Sequence, residues 1–187
     1  MAGYIVLVII FVIIVSLAAY VASAYNSLVK SRNRVDAQWA QIDVQLTKRA
    51  DLIPNLVETV KGYAAHEKEI FEGVTAARNA LESAATPGQA ITAHDRLLGK
   101  LGPVFAVAEA YPELKSDKNF IELQAALAQA EEKIAYARQF YNDTVMIYKD
   151  KTQQFPSSVI AGMFHFRDVS YFAPAEEKKA DVAVDFK

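Results

Sequence analysis

Between Met1 and Val29 the sequence contains no Asp, Glu, Lys or Arg, and Tyr4–Ala24 is almost wholly apolar and rich in Val and Ile. Roughly 20 apolar residues suffice to cross the hydrocarbon core of a bilayer, so this run is expected to form one transmembrane helix. Tyr4 at one end, with Tyr20 and Tyr25 at the other, would sit at the two interfaces. The competing reading is a cleaved signal peptide, and Ala22-Ser23-Ala24 has the small residues of a cleavage site. That reading is the weaker one: there is no basic leader, and the run exceeds the roughly 7–15 apolar residues of a signal peptide. Lys30, Arg32 and Arg34 flank the C-terminal end of the run, which places the remaining domain in the cytoplasm by the positive-inside rule.

After the anchor about 160 residues remain, enough for a domain with a core. The chain has no Cys, so disulfides, thiol catalysis, lipid attachment to Cys and Cys-based metal sites are excluded. A net charge of -2 gives no expectation of a nucleic-acid partner. Seven Gly in the whole chain argue against a Gly-rich nucleotide-binding fold.

Hydrophobic periodicity predicts an all-α chain. Leu28, Arg32, Val35, Trp39, Ile42, Leu46, Arg49 and Ile53 recur at spacings of four and three, a heptad seam continuous with the anchor. The sole Trp, Trp39, is expected in the core. Asp51-Leu52-Ile53-Pro54 reads as a boundary, because the residue before a proline avoids helical angles. A second helix is then expected from about Pro54 to Ala85, with Leu56, Val60, Tyr63, Glu67, Ile70, Val74, Ala77 and Leu81 inward. Thr86-Pro87-Gly88 would end it. A third helix, Gln89–Tyr111, would present Ile91, Leu98, Leu101, Phe105 and Ala108 and kink at Gly102-Pro103. A fourth, Lys118–Phe155, capped by Ser116 or Asp117, would bury Phe120, Leu123, Leu127, Ile134, Tyr141, Val145, Tyr148 and Phe155. The expected fold is an N-terminal transmembrane helix (1–25), an elongated antiparallel bundle of about four long helices (26–156) and an aromatic-rich, irregular or extended tail (157–187).

Few residues in the chain suggest chemistry. Of His66, His94 and His165, His66-Glu67 begins like a metalloprotease helix, but Ile70 stands where a second His is required. Surface positions are the plain expectation for these histidines. No nucleophile elbow, di-iron pair or phosphate loop is present. No catalytic residue, cofactor, metal or small-molecule substrate is therefore expected. More telling are charges in apolar rows: Arg32 and Arg49 in the first helix, Glu67 in the second, Glu131 and Arg138 in the fourth. Buried charges persist only when paired, so these residues are candidates for a core network or a partner groove, or else the seam turns to solvent there. Arg34 in the basic flank, and Asn55 and Glu58 at the expected bend, are further docking candidates. In the anchor, Ser16, Ala19 and Ser23 form a stripe of small residues suited to helix association.

Tyr25-Asn26-Ser27-Leu28-Val29, Arg32-Asn33-Arg34-Val35, Trp39, Gln41 to Leu46, and Asp51-Leu52-Ile53-Pro54-Asn55-Leu56-Val57 resemble the LemA family. So do Glu58 to Tyr63, His66-Glu67, Ala108 to Pro112, Asn119-Phe120, Ala137-Arg138, Tyr141-Asn142 and Phe155-Pro156. The resemblance covers nearly the whole chain. One departure is His165, between Phe164 and Phe166, where many relatives carry glycine. The resemblance implies a bacterial membrane-anchored helical bundle, placed in the inner membrane, with no established enzymatic activity. It also brings in an association with membrane zinc metalloproteases and envelope stress as rival roles. The resulting expectation is an interaction scaffold that touches the bilayer and forms a homo-oligomer. The aromatic segment Phe164–Phe172 would pack on its own helices or a neighbour, and Val182–Phe186 could add a strand to another subunit.

Overall fold

The structure, a computed structural model, describes residues 1–173. Val182–Phe186, expected to be extended, lies outside the described residues. Six helices are found among the described residues, and no strand: α1 Ala2–Lys61, α2 Lys68–Glu82, α3 Pro87–Ala110, α4 Pro112–Lys115, α5 Lys118–Gln153 and α6 Ser157–Met163. The all-α expectation holds, and so does the seam of α1. Leu28, Val35, Ile42, Leu46, Arg49 and Ile53 are buried, whereas Trp39, expected in the core, is only half-buried.

The expected boundary at Pro54 is wrong. The helix runs straight through it to Lys61. Proline removes the N–H that would bond the carbonyl four residues back, here that of Ala50. The Arg78 side chain from α2 takes its place, donating Nε–H to the Ala50 carbonyl at 3.1 Å. The apolar period also continues across the site, with Ile53, Leu56, Val57 and Val60 all buried. The break falls instead at Gly62–Glu67, and the inward row of α2 shifts from Ile70 to Phe71, followed by Val74, Ala77 and Leu81.

Helices α2 and α3 are joined at Thr86, whose side chain accepts from the Gln89 N–H, while Gln89 Oε1 accepts from the Ala85 N–H. That reciprocal pair, with Pro87 in the first turn, fixes the start of α3. Helix α3 buries Leu101 and Ala108 as expected, but with Ala90, Ala93, His94, Leu97 and Val104, while the expected Ile91, Leu98 and Phe105 are only partly buried. Both faces are apolar, so periodicity alone does not choose between them. Asp117 caps α5 by accepting from the Phe120 N–H at 3.0 Å. Phe120, Leu127, Ile134, Tyr141, Val145 and Tyr148 are buried as expected, but Phe155, beyond the helix end, is 83% exposed.

The chain forms two compact units. The first comprises Met1–Gln38 and Phe140–Tyr171. Here α1 and α5 run antiparallel: Lys151 Nζ donates to Ser27 Oγ (3.0 Å) and Ser31 Oγ (2.8 Å), and the Arg32 guanidinium lies 6.0 Å from the Tyr148 ring centre. The segment after α6 lies along α5, one of the two placements expected for it. Tyr148 donates to the Arg167 carbonyl (2.8 Å) and Tyr141 to the Ser170 carbonyl (3.0 Å). Seven helical residues and three extended ones both span about 10 Å, so the two tyrosines and the two carbonyls are in register. Helix α6 closes in a Schellman turn: Phe166 N–H reaches the Ala161 carbonyl, His165 N–H the Gly162 carbonyl, and His165 adopts φ 54°. That is the conformation for which glycine is suited, and the turn forms with histidine in its place.

The second unit comprises Trp39–Gln139 and the segment beginning at Phe172. It contains the α2–α3 hairpin, α4, and the portions of α1 and α5 that bury Ile42, Leu46, Ile53, Leu127 and Ile134.

Candidate functional site

Of the charges that sequence places in apolar rows, one is fully internal. Arg49 is 2% exposed, and it reaches α1's interior position because the heptad puts it between Leu46 and Ile53. Its Nη1 donates to Glu131 Oε2 on α5 at 2.8 Å and to His94 Nδ1 on α3 at 3.2 Å. Arginine can only donate, so Nδ1 is the acceptor and His94 is the neutral tautomer protonated at Nε2. Burial lowers the Arg49 pKa from the usual arginine value, and the Glu131 carboxylate opposes that shift. Glu131 itself remains 44% exposed, so the pair joins the core to the surface.

Phe172 closes one side of this cluster. It is 1% exposed and stands edge-on to His94 at 6.0 Å, with Trp39 at 6.4 Å and the Arg138 guanidinium 5.7 Å from its ring centre. On the other side, Arg49 and Glu131 form the polar end of an apolar groove of about 410 Å³, lined by Leu98, Leu101, Phe105 and Leu127. The arrangement offers a greasy slot with one buried cation and one half-exposed anion. Among the described residues it presents no nucleophile beside a base, and no group of three His, Asp or Glu is placed to hold a metal ion.

The other candidates scatter. Arg32 is partly exposed and pairs with Asp36 one turn on (3.3 Å). Arg34 is exposed. Glu67 is the residue before α2 and is half-buried. Asn55 and Glu58 are exposed on the uninterrupted α1 and, with Asn119, Glu122 and Leu123 of α5, line a shallow cleft of about 450 Å³. Ser16, Ala19 and Ser23 are exposed on α1.

Sequence reasoning missed two residues, His94 and Arg78. His94, expected at the surface like the other histidines, is buried because it follows Ala90 by one turn and precedes Leu97 and Leu98 by another, an apolar spacing that was legible. His66 and His165 are exposed, as expected. The bond from Arg78 depends on a long-range contact with no local signal, and so does the place where Phe172 docks, although its aromatic segment was expected to pack.

The chain is 27% identical to magnetosome protein MamQ 2 of Paramagnetospirillum magneticum, across 89% of this chain and 71% of that protein. It is 24% identical to magnetosome protein MamQ of Magnetospirillum gryphiswaldense, across 85% and 69%. It is 22% identical to protein LemA of Metamycoplasma hominis, across 84% and 72%. The family model for the LemA family matches residues 38–186, four-fifths of the sequence, and the chain belongs to the LemA family.

Proposed function

We propose that the protein is a membrane-anchored helical scaffold, without catalytic activity of its own, that assembles with itself or with another membrane protein. One observation carries this reading. The apolar part of α1 is long enough to cross a bilayer and, but for Val21 and Ala24 at its end, lies exposed among the described residues, yet the same helix supplies core residues from Leu28 to Val60. Apolar surface on that scale needs a non-aqueous partner. The exposed Lys30 and Arg34, directly after the run, favour a cytoplasmic domain at the bacterial inner membrane. The names of its relatives describe no catalysed reaction.

Self-assembly is supported by the exposed Ser16, Ala19 and Ser23, which let a second helix approach closely. The intact protein, purified by affinity from mild detergent, should have a particle mass above that of a monomer, and Ala19→Leu with Ser23→Leu should reduce it. A monomer carrying a stoichiometric membrane protein, such as a zinc metalloprotease, would make the scaffold heterologous. A monomer with no companion would refute the reading.

A further inference from the structure

Between Lys151 and Arg167 the sequence has no Asp, Glu, Lys or Arg, the longest charge-free run after the anchor. It contains α6. One face of α6 is used within the first unit: Ile160 and Ala161 are buried with Leu28, and Val21, Ala24 and Phe166 pack around them. Among the described residues nothing covers the other face. Val159 and Met163, one turn apart, are 52% and 64% exposed, with Phe155 just before the helix and Phe164 (49%) just after it. Isolated apolar side chains at a surface are ordinary, but a contiguous set marks an interaction site.

The position of this set identifies its partner. Val21 and Ala24, which touch the α6 cluster, are the last residues of the apolar run in α1. At 1.5 Å per residue, Leu28 lies only about 6 Å beyond Ala24 along the helix. The headgroup layer on each side of the hydrocarbon core is itself about 5–8 Å deep. An element packed between Val21 and Leu28 is therefore at the depth of that layer. Tyr25, an aromatic of the kind that settles there, contacts Phe164 at 4.7 Å and Phe166 at 5.8 Å.

We propose that α6, with Phe155 and Phe164, is an interfacial membrane contact: its free face lies in the headgroup layer of the leaflet from which α1 emerges. This rests on the anchor reading above and adds to it a second, non-spanning attachment. Ile160 and Ala161 hold α6 to the anchor helix while Val159 and Met163 enter the lipid boundary, as the apolar face of an amphipathic helix does. The attachment fixes how α1 leaves the bilayer, because a helix held at two points cannot pivot freely about the first.

The absence of Cys permits a direct test on the full chain. Met163→Cys, and Val159→Cys as a second site, would carry an environment-sensitive fluorophore in phosphatidylcholine–phosphatidylglycerol vesicles. Those vesicles would hold lipids with a quencher either at the headgroup or deep in the acyl chain. Val12→Cys reports on the anchor and Gln129→Cys on exposed surface in the second unit. The expected result is strong quenching at 163 and 159 by the headgroup quencher, deep quenching at 12, and neither at 129. Quenching at 12 with 163 and 159 behaving like 129 would overturn the interfacial contact and leave the anchor intact. Loss of quenching at 12 would overturn both. Emission at 163 that is shifted to the blue, immune to both quenchers and abolished on dilution with lipid would overturn the proposal in favour of a second copy of the chain covering this face.

Discussion

Replacing Glu131 by Gln should destabilise the protein, and then adding Arg49→Met should restore part of what was lost. The two charges are 2.8 Å apart, with Arg49 2% and Glu131 44% exposed. Coulomb attraction at that distance is about 6 kcal/mol for an effective dielectric constant of 20 and about 1.5 kcal/mol for 80, and the half-exposed carboxylate places the pair between these limits. Glu131→Gln leaves the guanidinium buried without its counter-charge, which should cost roughly 2–3 kcal/mol, somewhat below the 3–5 kcal/mol of a fully enclosed pair. Arg49→Met alone removes the buried charge and lets Glu131 return to water. Its main cost is the donor lost by His94 Nδ1, about 1 kcal/mol. The double variant should therefore be more stable than Glu131→Gln. Urea unfolding of the intact protein in mild detergent, followed by the emission of its single Trp, measures all three. A double variant less stable than either single one would refute the argument, because it would mean that Arg49 is not a stranded cation once Glu131 is neutral.

Arg78→Ala should cost about 1–2 kcal/mol in the native chain but much less in a Pro54→Ala background, where the backbone N–H regained at that position can bond the Ala50 carbonyl itself; a double-mutant cycle by urea unfolding checks this. His165→Gly should leave stability unchanged or raise it by up to about 1 kcal/mol, since relief of the left-handed backbone outweighs or balances the greater freedom of glycine when unfolded; the urea midpoint reads it. Trp39→Ala should cost roughly 1–3 kcal/mol, below the 3–5 kcal/mol of a full core aromatic, because Trp39 is only half-buried. Burial raises the Tyr141 pKa, chiefly by desolvating the phenolate, so its contribution is complete below the ordinary tyrosine value of about 10 and is lost as pH rises through the folded value. Phenolate absorbance of the native chain against Tyr141→Phe should show one tyrosine ionising late.

Much of this architecture could be read from the chain because its physical cause is local. The seam from Leu28 to Ile53 follows from a heptad, and Arg49 stood out as a charge inside it. Arg32 has the same sequence signature and also meets α5, over the Tyr148 ring, yet it is partly exposed and pairs with Asp36 on its own helix; periodicity cannot say which seam charge is enclosed. Pro54 misled because its rescue comes from Arg78, 28 residues beyond the carbonyl that Arg78 satisfies. The face of α3 misled because alanines and leucines surround it, and contact with α2 decides which side is buried. The aromatic segment announced that it had to pack somewhere, but the register of Tyr141 and Tyr148 with the carbonyls of Ser170 and Arg167 is a tertiary match without a sequence mark.

The claim on which the functional reading depends is that the apolar run of α1 remains in the bilayer as an anchor. Membranes from cells expressing the full chain, and a chain starting at Asn26, can be washed with alkaline carbonate and the retained protein sequenced from its N-terminus. The account predicts that the full chain stays in the pellet with its N-terminus near Met1, and that the shortened chain is released or only loosely held. A full-length chain extracted by carbonate, or a mature protein beginning at Tyr25, would contradict it.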